Sequence, residues 1–221
     1  MASKKEETLE INIPKIDIRR TKITIIGDTP IIMNKFSEKA KRQILDKQQK
    51  KAKKDKEVKN EWECFIESMY WLEEKPKEYT KEAFEKAMKT GKVRIGFPAV
   101  GVKQAALSAA YRAGYIKNKV CMQGAFHIQE EFIDIKYSSI KMREDYVKIP
   151  MGGADIVFRG ELDGWKSTFE VTYDANVLSV EQLIQFINYG GYAVGIGEWR
   201  PEKTGNNGMF HVATSEDLKM E

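Results

Sequence analysis

Two groups of residues in this sequence are equipped for chemistry, and both suit a polyanion. Between positions 35 and 60 stand eleven basic side chains: Lys35, Lys39, Lys41, Arg42, Lys47, Lys50, Lys51, Lys53, Lys54, Lys56 and Lys59. Only four acids accompany them, Glu38, Asp46, Asp55 and Glu57. The stretch therefore carries seven excess positive charges in a chain of net charge +4, which leaves the remainder at −3. Cations gathered in this way attract phosphate-bearing polymers and release their counterions. The competing reading is a solvated lysine-rich helix, its charge offset by Glu57, Glu61, Glu63 and Glu67.

The second group is a glycine-rich stretch. Six of the sixteen glycines, Gly190, Gly191, Gly195, Gly197, Gly205 and Gly208, fall within residues 190–208. A dinucleotide fingerprint follows a strand and opens a helix. This stretch follows a helix and precedes a strand, so that chemistry is excluded, and no Gly-Lys-Ser/Thr phosphate loop is present. Bare backbone there predicts close approach of a ligand to outward-pointing amides at Gly195 and Gly197. Trp199, Arg200 and Lys203 add a stacking ring and two cations, a combination that suits a single nucleic-acid strand. The plainer alternative packs Trp199 on the core and pairs Arg200 with a carboxylate.

Signals for catalysis are thin. The two histidines, His127 and His211, read as strand residues with structural roles; their alternative is a metal-independent ribonuclease. Asp134-Ile-Lys136 has the spacing of part of a nuclease element but lacks a suitably placed upstream acid. Arg143, Glu144 and Asp145 read as a polar loop with an internal ion pair. No cofactor or metal is expected.

The elements that must position these residues follow from local patterns. Ile23, Ile25 and Ile26 mark a strand at 22–27, after a break at Pro14. Residues 35–58 read as a helix with a sparse apolar set, Phe36, Ala40, Ile44 and Leu45. Trp62, Phe65, Ile66, Met69 and Tyr70 recur at helical spacing, and Thr80 caps a third helix ending near Met88. Pro98 and Gly114 bracket a small-residue helix containing Ala105, Ala106, Ala109 and Ala110. Asp163-Gly164 predicts a tight hairpin over 154–174. Its Trp165, Phe169 and Tyr173 face the core, and Lys166, Thr168, Glu170 and Thr172 face outward without a stacking platform. Ser179 and Gln182 form a capping-box pattern for a helix that Gly190 ends, and 209–213 is a last strand.

In order, these elements read β-α-β-β-α-β, a ferredoxin-like α+β core. The reading is one domain over 1–221, with a lysine-rich helical insertion at 28–96 and an extended β insertion at 116–150. At 42% hydrophobic and 32% charged residues, the 221-residue chain is a folded, highly charged protein. Its start, MASKKEETLE, has no apolar run of the kind a signal peptide carries, and no stretch is long enough to span a membrane. Cys64 and Cys121 fit reduced thiols, so a cytoplasmic setting is expected.

Residues 29–39 (Thr-Pro-Ile-Ile-Met-Asn-Lys-Phe-Ser-Glu-Lys), Met142-Arg-Glu-Asp145 and residues 194–203 (Val-Gly-Ile-Gly-Glu-Trp-Arg-Pro-Glu-Lys) resemble an uncharacterised family carried by tailed phages and prophages. That resemblance implies a phage origin, and hence the host cytoplasm, but no activity. The last third, with Gly195-Ile-Gly197 and Gly208-Met-Phe-His-Val212, is similar to the repeat-associated RNA-binding superfamily that builds CRISPR effector backbones. This second resemblance implies that a glycine loop and helical insertions grip RNA and that subunits stack into filaments. The expected function is non-enzymatic binding of single-stranded RNA or DNA through Lys35–Lys54 and Gly195–Lys203. The alternative is a protein-interaction role, imitating an effector subunit to block host defence or serving as a structural component.

Overall fold

The alternation in the first described strand sets the architecture. Ile23 and Ile25 are fully buried, while Lys22 and Thr24 point the other way. The computed structural model describes residues 15–49, 58–91, 93–149 and 153–219. Its elements are β1 (Ile18–Gly27), β2 (Ile31–Ile32), α1 (Glu38–Gln48), α2 (Glu61–Glu67), β3 (Tyr70–Trp71), α3 (Lys81–Lys89), β4 (Ile95–Pro98) and α4 (Ala99–Arg112). There follow α5 (Lys119–Gln123), β5 (Phe126–Ile128), β6 (Phe132–Ile135), β7 (Ser139–Ile149), β8 (Gly153–Asp163), β9 (Lys166–Asp174), α6 (Val180–Ala193) and β10 (Phe210–Val212). The protein is mixed α+β, with antiparallel sheets throughout.

The main sheet has the order β10-β1-β9-β5. One face of β9 is the core side, with Trp165, Phe169, Val171 and Tyr173 buried as their alternation requires. Helices α4 and α6 complete that core. Ala105, Ala106, Ala109 and Ala110 of α4 are buried, and Gly190 of α6 meets them so closely that a Cβ there would lie 2.7 Å from the Ala106 nitrogen. Gly190 and Gly191 thus lie inside α6, which runs on to Ala193, rather than ending it. Close packing, not chain termination, is what those two glycines permit: Gly190 against α4 and Gly191 against Phe210 of β10. The capping box of Ser179 and Gln182 forms as read, and Thr80 caps α3.

The hairpin expected over 154–174 is not formed. β8 pairs along its whole length with β7, Ser139↔Asp163 through Ile149↔Gly153, and on its other side with β2. β9 lies in the main sheet between β1 and β5. Asp163-Gly164 therefore turns the chain from one sheet into another, with Gly164 at φ +57°. Two strands flanking a turn signal can pair elsewhere when each finds a longer partner, and β7 supplies eleven paired residues. The segment Arg143–Asp145, read as a loop, is likewise part of strand β7.

The third sheet, β3-β4-β6, and helices α2 and α3 form the other part of the apolar core. Trp62, Phe65 and Phe84 make an aromatic cluster with centroids 4.9–6.0 Å apart. Phe65 and Met69 pack under β8 at Gly160. Among the described residues no helix is long and apolar enough to cross a membrane.

Candidate nucleic-acid interface

α1 differs from every other long helix in burying nothing. Ser37 caps it through the Ala40 amide. Its sequence lacks the apolar stripe that would dock it, as the sparse set Phe36, Ala40, Ile44 and Leu45 suggests; Phe36 is 53% exposed. The basic groups around it divide in two. Lys39 pairs with Glu63 at 3.5 Å, Lys41 with Glu38 at 2.6 Å and Lys59 with Asp155 at 2.9 Å. Lys35, Arg42 and Lys47 form no close ion pair among the described residues, although Lys35 and Arg42 act on Glu38 and Lys35 acts on Glu67 at longer range. Lys50, Lys51, Lys53, Lys54 and Lys56 lie outside the described residues.

The glycine-rich loop is adjacent to the root of this arm, because Asn34 donates to Glu198 at 3.0 Å. The loop's expected free amides are largely spent on the chain itself. Gly195 N donates to Gly190 O (2.9 Å), Glu198 N to Ile32 O (3.0 Å), Gly205 N to Arg200 O (3.1 Å) and Gly208 N to Pro30 O (2.8 Å). What approaches the bare Cα positions is also protein. A Cβ on Gly197 would sit 2.6 Å from the Ile32 carbonyl oxygen, and one on Gly205 would overlap the Trp199 carbonyl. The glycines at 195, 197, 205 and 208 are thus needed for self-packing, which corrects the expectation of outward amides at Gly195.

The loop's cations are paired as well. Arg200 binds Glu202 at 2.8 Å and the Gly197 carbonyl at 3.0 Å, and Lys203 lies 3.2 Å from Glu198. Burial pushes the Glu198 carboxyl up, but Asn34 and Lys203 outweigh it and hold the group below its ordinary value. Trp199 is 38% exposed, sits at φ +52°, and lies beside Asp145, whose carboxyl it helps to hold low. A non-glycine residue in the left-handed region persists only where its surroundings fix it. Here the Trp199 carbonyl accepts from Asn207 N at 3.0 Å, which holds the loop closed on itself.

Asp145 belongs to a charged network that lies on one face of the β7–β8 hairpin. Arg143 and Arg159 are directly opposed in register, a like-charge pair that would repel on its own. Asp145 resolves this by accepting from Arg143 at 2.8 Å and from Arg159 at 3.0 Å. Glu161 accepts from Arg143 at 2.9 Å and pairs with Lys141 at 2.8 Å. Burial raises the Asp145 and Glu161 carboxyls, but the hydrogen bonds from their cationic partners win and leave both below the usual range. The three stretches behind the phage-family resemblance, 29–39, 142–145 and 194–203, thus meet around Asn34, Asp145, Glu198 and Trp199.

No protein-family model matches the chain, and no curated protein matches it. The assignment therefore stands on geometry alone.

The histidines stand apart. His127 is on β5 and His211 on β10, at opposite edges of the four-stranded sheet. Three strand spacings put them at least about 14 Å apart, too far to act as an acid–base pair. His211 lies 2.6 Å from Asp28 through Nδ1 and 3.6 Å from Asp217 through Nε2, so both ring nitrogens face carboxylates. His127 faces Lys103, whose Nζ is 3.4 Å from Nδ1 and donates to Gln123 O at 2.6 Å. Burial lowers the Lys103 ammonium's pKa. These two line a cleft of about 290 Å³ with Pro98, Val100, Glu130 and Phe132. Sequence reasoning missed Arg112, which pairs with Glu202 at 2.6 Å, and the aromatic row of Tyr115, Phe186, Tyr189 and Tyr192. The Tyr189–Tyr192 spacing was a legible helical signal; Tyr115 joins only through the fold.

Proposed function

We propose that this protein binds single-stranded nucleic acid, RNA ahead of DNA, without cutting it. The binding element in this reading is α1 and its root, from Lys35 through Phe36, Lys39 and Arg42 to Lys47. The observation that carries it is that α1 buries no side chain, so neither its cations nor Phe36 is required for the core. An exposed ring beside a cluster of cations offers stacking and phosphate attraction together. Gly195, Gly197, Arg200 and Lys203 serve as scaffolding for the arm rather than as direct contacts.

The core itself we assign to the ferredoxin-like class. The sheet order β10-β1-β9-β5, with α4 between β1 and β5 and α6 between β9 and β10, supports that assignment. The second strand of the arrangement is β5, not the 154–163 strand. This topology agrees with the resemblance to the repeat-associated RNA-binding superfamily, which favours RNA and a capacity to form homo-oligomers or filaments. A phage origin and action in the host cytoplasm complete the reading.

Binding is tested by fluorescence anisotropy with a labelled oligonucleotide at low and moderate salt. Affinity falling steeply with salt supports the reading, and no binding at low salt ends it. A second reading draws on a different observation. Ala40 and Ile44 lie four residues apart on α1 with Leu45 beside them, Phe36 precedes the cap, and Phe36, Ile44 and Leu45 are exposed. Such a face suits an acidic protein partner, for example one of host defence. Complexes that survive nuclease treatment favour this second reading.

A further inference from the structure

The surface at the C-terminal ends of α4 and α6 carries aromatic rings that the core does not consume. Tyr115 is 52% exposed and Tyr192 is 67% exposed. The rings are not scattered. Tyr115 lies nearly parallel to Phe186, with centroids 6.2 Å apart and planes inclined by 10°. Tyr115 also meets Tyr189 edge-to-face at 6.0 Å and 65°, and Tyr189 is followed by Tyr192 at 6.4 Å and 29°. Phe186 is buried and fixes the inner end of the row, while Tyr115 and Tyr192 remain open to solvent. Rings held this way present large contact area with little side-chain freedom left to lose.

The charge beside the row is net positive, because Arg112 and Arg200 share the one carboxylate of Glu202 and Lys117 adds a third cation. Arg112 and Lys117 flank Tyr115 in sequence and both are exposed. Arg112 reaches Glu202 at 2.6 Å, and Glu202 also holds Arg200. The row is thereby joined to the glycine loop, and the loop is joined to the root of α1 by the Asn34–Glu198 hydrogen bond. A continuous set of contacts connects the arm to the rings.

We propose that Tyr115, Tyr189 and Tyr192 form a base-stacking platform for the same single strand whose phosphates α1 attracts. The inference rests on the nucleic-acid reading above and adds to it a second contact with a distinct chemistry. A polyanion with flat bases matches both the rings and their flanking cations. A second copy of this chain does not. An isologous contact would bring together two copies of the same net-positive rim, Arg112, Arg200 and Lys117 against one Glu202.

The test uses the full chain and two labelled probes of equal length, an oligouridylate and the same backbone without bases. Anisotropy is measured for the wild type, for Tyr115→Ala/Tyr192→Ala, for Tyr115→Phe/Tyr192→Phe, and for Lys35→Glu/Arg42→Glu. Circular dichroism verifies that each variant is folded. Stacking on one ring is worth about 5- to 150-fold in affinity per base. The wild type should therefore prefer the base-bearing strand at least about fivefold. The alanine pair should abolish that preference and leave the base-free strand unaffected, and the phenylalanine pair should keep it. The arm variant should weaken both probes together. Equal affinity for the two probes, with the arm variant still weakening both, overturns the platform and leaves the arm standing. Failure of the wild type to bind either probe at low salt overturns the nucleic-acid reading and the platform with it. A dimer in sedimentation that the alanine pair dissolves, with base preference unchanged, reassigns the rings to self-association and likewise overturns the platform.

Discussion

Replacing Gly208 with alanine should destabilise the fold while leaving the intrinsic nucleic-acid surface untouched. Gly208 has φ +67°, and a Cβ there would overlap the Ile196 carbonyl oxygen. That oxygen has little room to retreat. Ile196 N donates to Gly208 O at 2.9 Å, and Gly208 N donates to Pro30 O at 2.8 Å. The left-handed conformation costs a non-glycine residue about 1–2 kcal/mol. Forcing atoms into a filled site adds about 1–3 kcal/mol. The sum, about 2–5 kcal/mol, is a large share of the roughly 5–15 kcal/mol that holds a domain together. For a chain of this size it corresponds to a fall in Tm of about 5–20 °C. Urea unfolding followed by tryptophan fluorescence reads the loss, with Gly124→Ala as the control. Gly124 has φ −85° and open space around it, so its variant should stay within about 0.5 kcal/mol of wild type. If Gly208→Ala unfolded with the wild type and yet failed to bind an oligonucleotide, the loop would be a ligand surface and the self-packing argument would be wrong.

Asp145→Ala leaves Arg143 and Arg159 opposed without the carboxylate that joins them, and should cost about 3–5 kcal/mol in urea unfolding. Acid should weaken the same hairpin. Asp145 and Glu161 are held below their ordinary values of 3.8 and 4.5, so the unfolded chain takes up protons first as pH falls. Their stabilisation is complete above the ordinary values and is lost as pH drops through the lower folded ones; a stability profile against pH shows a decline confined to that acid window. His127→Ala/His211→Ala should retain oligonucleotide binding in the anisotropy assay, since neither ring belongs to the arm or to the aromatic row.

The legible parts of the sequence were those with local physical causes. Ser179 with Gln182, and Thr80, fix helix ends through hydrogen bonds within a few residues, and the Pro98-to-Gly114 bracket does so through backbone conformation, with Gly114 at φ +75°. The alternation from Trp165 to Tyr173 declared which face of β9 meets the helices. Pairing partners were not legible in the same way. Asp163-Gly164 carries the better-known turn dipeptide, but the eleven-residue register that β8 forms with its sequence neighbour β7 decides the pairing, and the pairing energy of a whole register is not visible in a turn dipeptide. Arg159 and Glu161 look like solvent residues in isolation; their burial makes sense only once Asp145, Arg143 and Lys141 arrive opposite them. The glycine loop shows the same limit. Composition announced a close backbone approach, but only the fold reveals that Ile32, Ile196 and Trp199 make it.

The central claim is that the cations of the arm bind phosphates, and the most direct measurement is oligonucleotide affinity as a function of salt for wild type and for Lys35→Glu/Arg42→Glu/Lys47→Glu. Three phosphate contacts on a single strand predict a slope of log affinity against log salt of about −2, at roughly −0.7 per contact. The account predicts at least that slope for the wild type and near-complete loss of both slope and affinity in the triple variant. Wild-type affinity that is independent of salt, or a triple variant that binds as the wild type does, would contradict it.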